Sequence, residues 1–91
     1  MPVNYRWSER VVRGFSNHRR IRMLETLETT PAGMDLLTLA RACGVNVKTA
    51  GEHTRRLVAA GLVTKAQQER HVIHHISRRG TLALSFVRAV G

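Results

Sequence analysis

One cysteine, two prolines, four aromatic side chains and six acidic residues are all that this 91-residue sequence contains of each. Cys43 stands alone, which excludes an intrachain disulfide and any multi-cysteine zinc site. No run of 18 apolar residues exists, so no membrane partner is expected. Met1 to Ser8 lacks the apolar core of a signal peptide, the N-terminus reads as mature, and a cytoplasmic location is expected. The few carboxylates form no paired-acid, Ser/His/Asp or Cys/His arrangement, so an enzyme is not expected. Low-complexity stretches, internal repeats and long linkers are missing as well. The chain is therefore expected to form one domain over residues 1–91. So short a chain buries a small core, which dimerisation would enlarge.

What the sequence does have is positive charge. Fifteen Lys and Arg give a formal charge of +9, which favours a polyanionic partner such as nucleic acid. The charge is polarised, because Glu25, Glu28 and Asp35 hold much of the acid and leave Arg41 through Arg79 strongly basic. Hydrophobic residues make up 43%, an ordinary value for a folded chain.

Spacing predicts the elements. Ser8 is placed to cap a short helix carrying Val11, Val12 and Phe15, with Trp7 and Val12 as a hydrophobic staple; Gly14 weakens that helix. Asn17 caps a second helix with Ile21, Met23, Leu24 and Leu27 on one face, ended by the turn residues Thr29 to Gly33. Leu36, Leu39, Ala40 and Cys43 follow i, i+3, i+4, i+7 and stop at Gly44. Asn46 then caps a helix to about Ala60, with Ala50, Thr54, Leu57 and Val58 inward and Gly61 as the stop. Two helices joined by three or four residues around a glycine form a helix-turn-helix pattern. Leu62 to Ala66 and His71 to Ser77 read as strands joined by the polar Gln67-Gln68-Glu69-Arg70. From Arg79 or Gly80 a last helix places Leu82, Ala83, Phe86, Val87 and Val90 on one stripe. The fold class is mainly α with a small β-hairpin (α+β), in the order α-α-α-α-β-β-α. Residues 1–15 form an N-terminal helix or arm, 16–79 the core and 80–91 a C-terminal helix.

The segments SNHRRIRMLETL, LARACGVNVKTAGEHTRRLVAAGLV and HHISRRGTLALSFV together resemble the winged helix-turn-helix repressors of the ArsR/SmtB type, with MarR-like regulators second. The resemblance spans Phe15 to Val90. It implies a homodimeric regulator that reads double-stranded DNA with a recognition helix and a wing, the terminal helices forming the dimer interface. Metal-sensing members carry paired cysteines near the first helix of the helix-turn-helix, or Asp, His and Glu ligands in the last helix. Here Cys43 is single and TLALSFVRAV offers no ligand, so no cofactor or metal ion is expected. Gly51 and Glu52 stand where such proteins often have Ser and a basic or polar residue, and Gly51 suits a helix interior only where a backbone must approach something closely.

Residues at the start of a recognition helix reach base edges, while phosphates fix its register. Asn46, Lys48, Thr49, Glu52, His53 and Arg56 are the side chains available for this. Glu52 suits a cytosine amino group, and Arg56 a guanine or a phosphate. Arg70 at the hairpin tip is expected at the minor groove or its phosphates; Lys65, Gln67, Gln68, Arg78 and Arg79 are weaker candidates. His71 and His75 fall on one side of their strand and His74 on the other. That rules out three zinc ligands from one chain and leaves hairpin surface, or a site shared across a dimer. Cys43 reads as a small core residue. Trp7, Val11 and Phe15 with Leu82, Phe86 and Val90 are the expected dimer interface. An accessory or architectural DNA-binding protein, and a winged-helix module for protein or RNA, are the alternative functions.

Overall fold

The computed structural model describes residues 2–91; Met1, with which the expected N-terminal arm begins, lies outside them. Five helices and one hairpin follow in the expected order: α1 Tyr5–Phe15, α2 His18–Glu28, α3 Leu36–Cys43, α4 Val47–Ala59, β1 Val63–Gln68, β2 His71–Ile76 and α5 Arg78–Val90.

Local chemistry starts and stops these elements. Each helix begins at a side-chain cap that accepts a hydrogen bond from a first-turn amide: Asn4, Asn17, Asp35, Asn46 and Ser77. Such a cap is worth about 1 kcal/mol. Two of them correct the sequence reading. Asn4 rather than Ser8 opens α1, its Oδ1 accepting from the Trp7 amide at 3.0 Å, so Trp7 lies inside the helix and cannot staple it. Ser77 opens α5 at Arg78, ahead of the expected Arg79 or Gly80. Gly44 and Gly61 end α3 and α4 in the left-handed region (φ 67° and 75°), a conformation that glycine adopts without Cβ strain.

The core is one cluster. Met23, Leu24 and Leu27 of α2 meet Leu39 and Ala40 of α3, Ala50 and Leu57 of α4, Leu62 and Val63 at the start of the hairpin, and Ala83 and Leu84 of α5. Removing each large side chain from water contributes roughly 1.5–3 kcal/mol. On α5 the expected stripe is split. Gly80, Ala83 and Leu84 face the core, whereas Leu82, Phe86 and Val90 are 59%, 58% and 70% exposed.

Two glycines set how closely helices approach. A Cβ on Gly14 would collide with Ala60 Cβ, so α1 lies directly on the end of α4. A Cβ on Gly80 would collide with the Leu62 carbonyl oxygen and stand 2.7 Å from Ile76 Cγ1. The helix weakness expected of Gly14 is thus the counterpart of a close crossing. Ser77 Oγ secures the second junction by donating to the Gly61 carbonyl at 2.7 Å and accepting from Gly80 N at 3.0 Å.

The hairpin pairs Val63 with Ile76 through Gln68 with His71. β1 runs two residues further than the expected Ala66, to Gln68, while β2 stops at Ile76 rather than Ser77, leaving Glu69 and Arg70 as a two-residue turn with Glu69 at φ 54°. Met34 bridges to His74 on the far side of β2, its N donating to His74 O at 3.0 Å and its O accepting from His74 N at 2.7 Å. This pins the α2–α3 loop to the wing strand. No helix among the described residues is long and apolar enough to cross a membrane.

Candidate nucleic-acid interface

Helix α4 shows three faces. Ala50, Thr54 and Leu57 are buried. Opposite them Lys48, Glu52, Arg55, Arg56 and Ala59 are exposed. Arg55 was absent from the sequence-derived set, although the i, i+4, i+7 spacing of Lys48, Glu52 and Arg55 places it on the same outer stripe. Asn46 is exposed, but its Oδ1 is occupied by the Thr49 amide at 2.8 Å. That carboxamide oxygen caps the helix.

His53 departs from expectation. It is half-buried on the α2 side of α4, and its Nδ1 accepts from Arg20 Nε at 3.1 Å. Nδ1 therefore carries no proton. Burial pushes the imidazole below its ordinary value, and the charges of Arg20 and Arg19 push the same way. His53 thus ties α4 to α2, and its partner lies 33 residues away in the chain.

Between α4 and the hairpin runs a groove. Leu36, Val47, Gly51 and Val72 line it, with Arg55, Lys65 and Arg70 among its polar residues. Arg70 sits at the hairpin tip as expected. Asp35 lines the groove as well and Glu69 adjoins Arg70 at the tip, while Glu9, Glu25 and Glu28 lie elsewhere. Glu25 and Glu28 pair with Arg88 (3.6 and 2.8 Å), and Glu9 with Arg13 (3.2 Å). Asp35 caps α3 and stands 3.6 Å from His71. Glu52 is the one carboxylate on the outer face of α4.

The hairpin histidines act as clasps. His74 is 4% exposed, not hairpin surface, and its Nδ1 lies 3.1 Å from the Met34 carbonyl. Since a carbonyl only accepts, Nδ1 holds the proton of a neutral ring. His75 Nε2 lies 3.1 Å from the Ala32 carbonyl. No group of three or more His, Cys, Asp or Glu residues arranged for a metal ion occurs among the described residues. Cys43 is half-buried, 3.6 Å from Thr26 Oγ1.

Burial lowers the His74 pKa from its ordinary 6.5, outweighing the Met34 carbonyl, which raises it. The stability this provides is complete above about pH 6.5 and is lost as pH falls through the lower folded value. Urea unfolding at pH 7.5 and 5.5 should show wild-type stability falling with pH, and His74→Gln falling less. Equal slopes in the two proteins would remove His74 from the account.

The faces of α1 and α5 away from the core form an apolar groove of about 420 Å³ lined by Trp7, Val11, Val12, Phe15, Leu82 and Phe86 among others. Phe15 is only 9% exposed. It belongs to the core and forms the groove floor, packing edge-on against Phe86 with centroids 6.5 Å apart. Arg79 lies over the Trp7 ring at 5.2 Å.

No protein-family model matches the chain, and no curated protein does. Solved structures do match. One is the solution structure of a homodimeric winged helix-turn-helix DNA-binding domain (fragment 1–100) of a possible ArsR-family transcriptional regulator from Mycobacterium bovis. It has a TM-score of 0.84 and 23% identity over 94% of this chain and 79% of that one. HlyU from Vibrio cholerae matches with a TM-score of 0.80 and 16% identity over 99% and 97% of the two chains. The PcaV transcriptional regulator from Streptomyces coelicolor matches at 0.74 and 22%, over 82% of this chain and 56% of that one. These matches cover 82–99% of this chain, so by its fold this chain is a winged helix-turn-helix protein.

Proposed function

We propose that the chain is a homodimeric, sequence-specific double-stranded DNA-binding protein that acts as a transcriptional repressor. The observation that carries this reading is the outer face of α4. Lys48, Arg55 and Arg56 project from the second helix of the helix-turn-helix, with Lys65 and Arg70 across the groove, against two acids, Glu52 on α4 and Asp35 in the groove lining. The N-terminal half of α4 enters a major groove, and Arg70 follows the adjacent backbone or minor groove. Gly51 supports this arrangement. A Cβ there would meet only Leu36 Cδ2, at 3.6 Å, so packing within the chain does not require glycine.

The dimer reading rests on the exposed apolar groove of α1 and α5, together with the homodimeric state of the Mycobacterium bovis domain. A two-fold dimer presents two copies of α4 to an inverted repeat. Occupying such a site within a promoter excludes the transcription machinery.

Positioning and reading residues should fail differently. Arg70→Ala should weaken matched and scrambled duplexes by similar factors and flatten the salt slope by about one unit. Glu52→Ala removes no positive charge. It should change preference at one position per half-site by about 1–3 kcal/mol if Glu52 faces a cytosine. Affinities for an inverted repeat from its own upstream region and for a scrambled duplex, at two salt concentrations, test the whole reading. A specificity ratio of roughly 10³ or more supports a regulator. A ratio near one makes the chain an architectural protein, and no duplex affinity at all overturns DNA binding.

A further inference from the structure

A second basic cluster lies on the opposite flank of α4 from the wing. Arg10 and Arg13 of α1, Arg20 of α2 and Arg56 of α4 surround a shallow pocket of about 190 Å³ over Gly14 and Ala59. The close crossing of α1 on α4 at Gly14 brings these four guanidinium groups together. Within the cluster Arg20 is fixed. Its Nη1 donates to the carbonyls of Arg13 at 2.9 Å and Gly14 at 3.4 Å, and its Nε to His53 at 3.1 Å. Its Nη2 makes no hydrogen bond among the described residues, and neither Arg10 nor Arg56 has a carboxylate within ion-pair distance there. Glu9, on Arg13, is the one acid paired into the cluster.

Like charges held this close repel one another, and desolvation of Arg20 adds to that cost. An oxyanion offers compensation, because a guanidinium presents planar pairs of N–H donors that fit phosphate oxygens. Rigid Arg20 supplies a preorganised donor, while Arg10 and Arg56 are exposed and able to close over the ligand.

We propose that this α1–α2–α4 pocket is a phosphate-binding site, occupied in the complex by a DNA backbone phosphate. The proposal rests on the DNA-binding reading above and adds a contact distant from the base-reading end of α4. Arg56 lies about 12 Å along the helix from Lys48 at 1.5 Å per residue. Arg56 accordingly holds a phosphate and does not read a base.

The test uses the full chain, ¹⁵N-labelled, with the Arg Nε–H resonances followed during titration with pyrophosphate at constant ionic strength and then with duplex DNA. Pyrophosphate and duplex should each shift the Arg20 Nε signal, with saturation. Arg10→Gln should lower affinity for any duplex by roughly three- to tenfold at low salt and reduce the salt slope by about one. Arg6→Gln, the same charge loss on the same helix but outside the pocket, should change both less. Equal effects of the two variants, with no Arg20 shift on DNA binding, would overturn the site while leaving DNA binding intact. A pyrophosphate shift in a protein that binds no duplex would keep the phosphate site, assign it to a free phosphorylated ligand and remove the DNA reading. No shift with either titrant overturns the site outright.

Discussion

Gly80→Ala lowers the stability of the protein by about 2–4 kcal/mol, whereas Gly51→Ala raises it by about 0.5–1 kcal/mol. Both are glycine-to-alanine changes within helices, so intrinsic propensity favours alanine in each. Packing decides the sign. The new methyl at position 80 would be driven into the Leu62 carbonyl and Ile76, the surfaces on which α5 rests. To relieve the collision α5 must move outward, loosening Ala83 and Leu84 and the Ser77 bonds that join the α4 end to α5. At position 51 the methyl reaches only van der Waals distance of Leu36. For a chain of this length the Gly80 change corresponds to a fall in thermal midpoint of about 10–25 °C. Calorimetry on the two variants checks this, and movement of both midpoints in one direction would contradict it.

Phe86→Asp should abolish dimerisation at micromolar concentration while leaving the fold largely intact. Phe86 is 58% exposed, so within one chain the carboxylate stays in water and the main loss is the edge contact with Phe15. Across a two-fold interface the same carboxylate would be buried with its symmetry mate beside apolar Leu82 and Val12. Burying an unpaired charge costs several kcal/mol, and every 1.4 kcal/mol is tenfold in affinity. The dimer dissociation constant should therefore rise by at least about 100-fold, and the variant should bind single half-sites in place of the inverted repeat. Sedimentation of wild type and variant measures this. A wild-type monomer at micromolar concentration would remove the interface, and with it the recognition of inverted repeats.

The fold was legible wherever local chemistry decided the outcome. Asn17, Asn46, Gly44 and Gly61 announce their helix ends because a cap or a left-handed residue acts within four positions of itself. Asn4 and Ser8 offer equivalent capping chemistry one turn apart, so local sequence alone does not choose between them. The split of α5 into Ala83 and Leu84 inward and Phe86 outward is likewise tertiary, since both arrangements satisfy a helical period. Of the candidate site, the outer stripe of α4 was readable from spacing, although Arg55 on that stripe was overlooked. His53 and His74 were not readable as they stand, because their partners Arg20 and Met34 lie 33 and 40 residues away. A histidine's surroundings, not its sequence neighbours, decide between surface, ligand and buttress.

The exposed placement of Lys65 in the α4–hairpin groove and of Lys48 in the first turn of α4 has a practical consequence for chemical mapping. Thirteen of the fifteen basic side chains are arginine, so these two lysines carry every ε-amine in the sequence. Both are exposed, one at the start of α4 and one on β1. Amine-directed acylation, apart from the α-amino group, is therefore confined by composition to two sites flanking one surface. Counting modified lysines by mass spectrometry, with and without a bound partner, yields a footprint of that surface without any engineered label. A partner seated on α1 and α5 would leave the count unchanged, and one seated over the groove and the first turn of α4 would protect both.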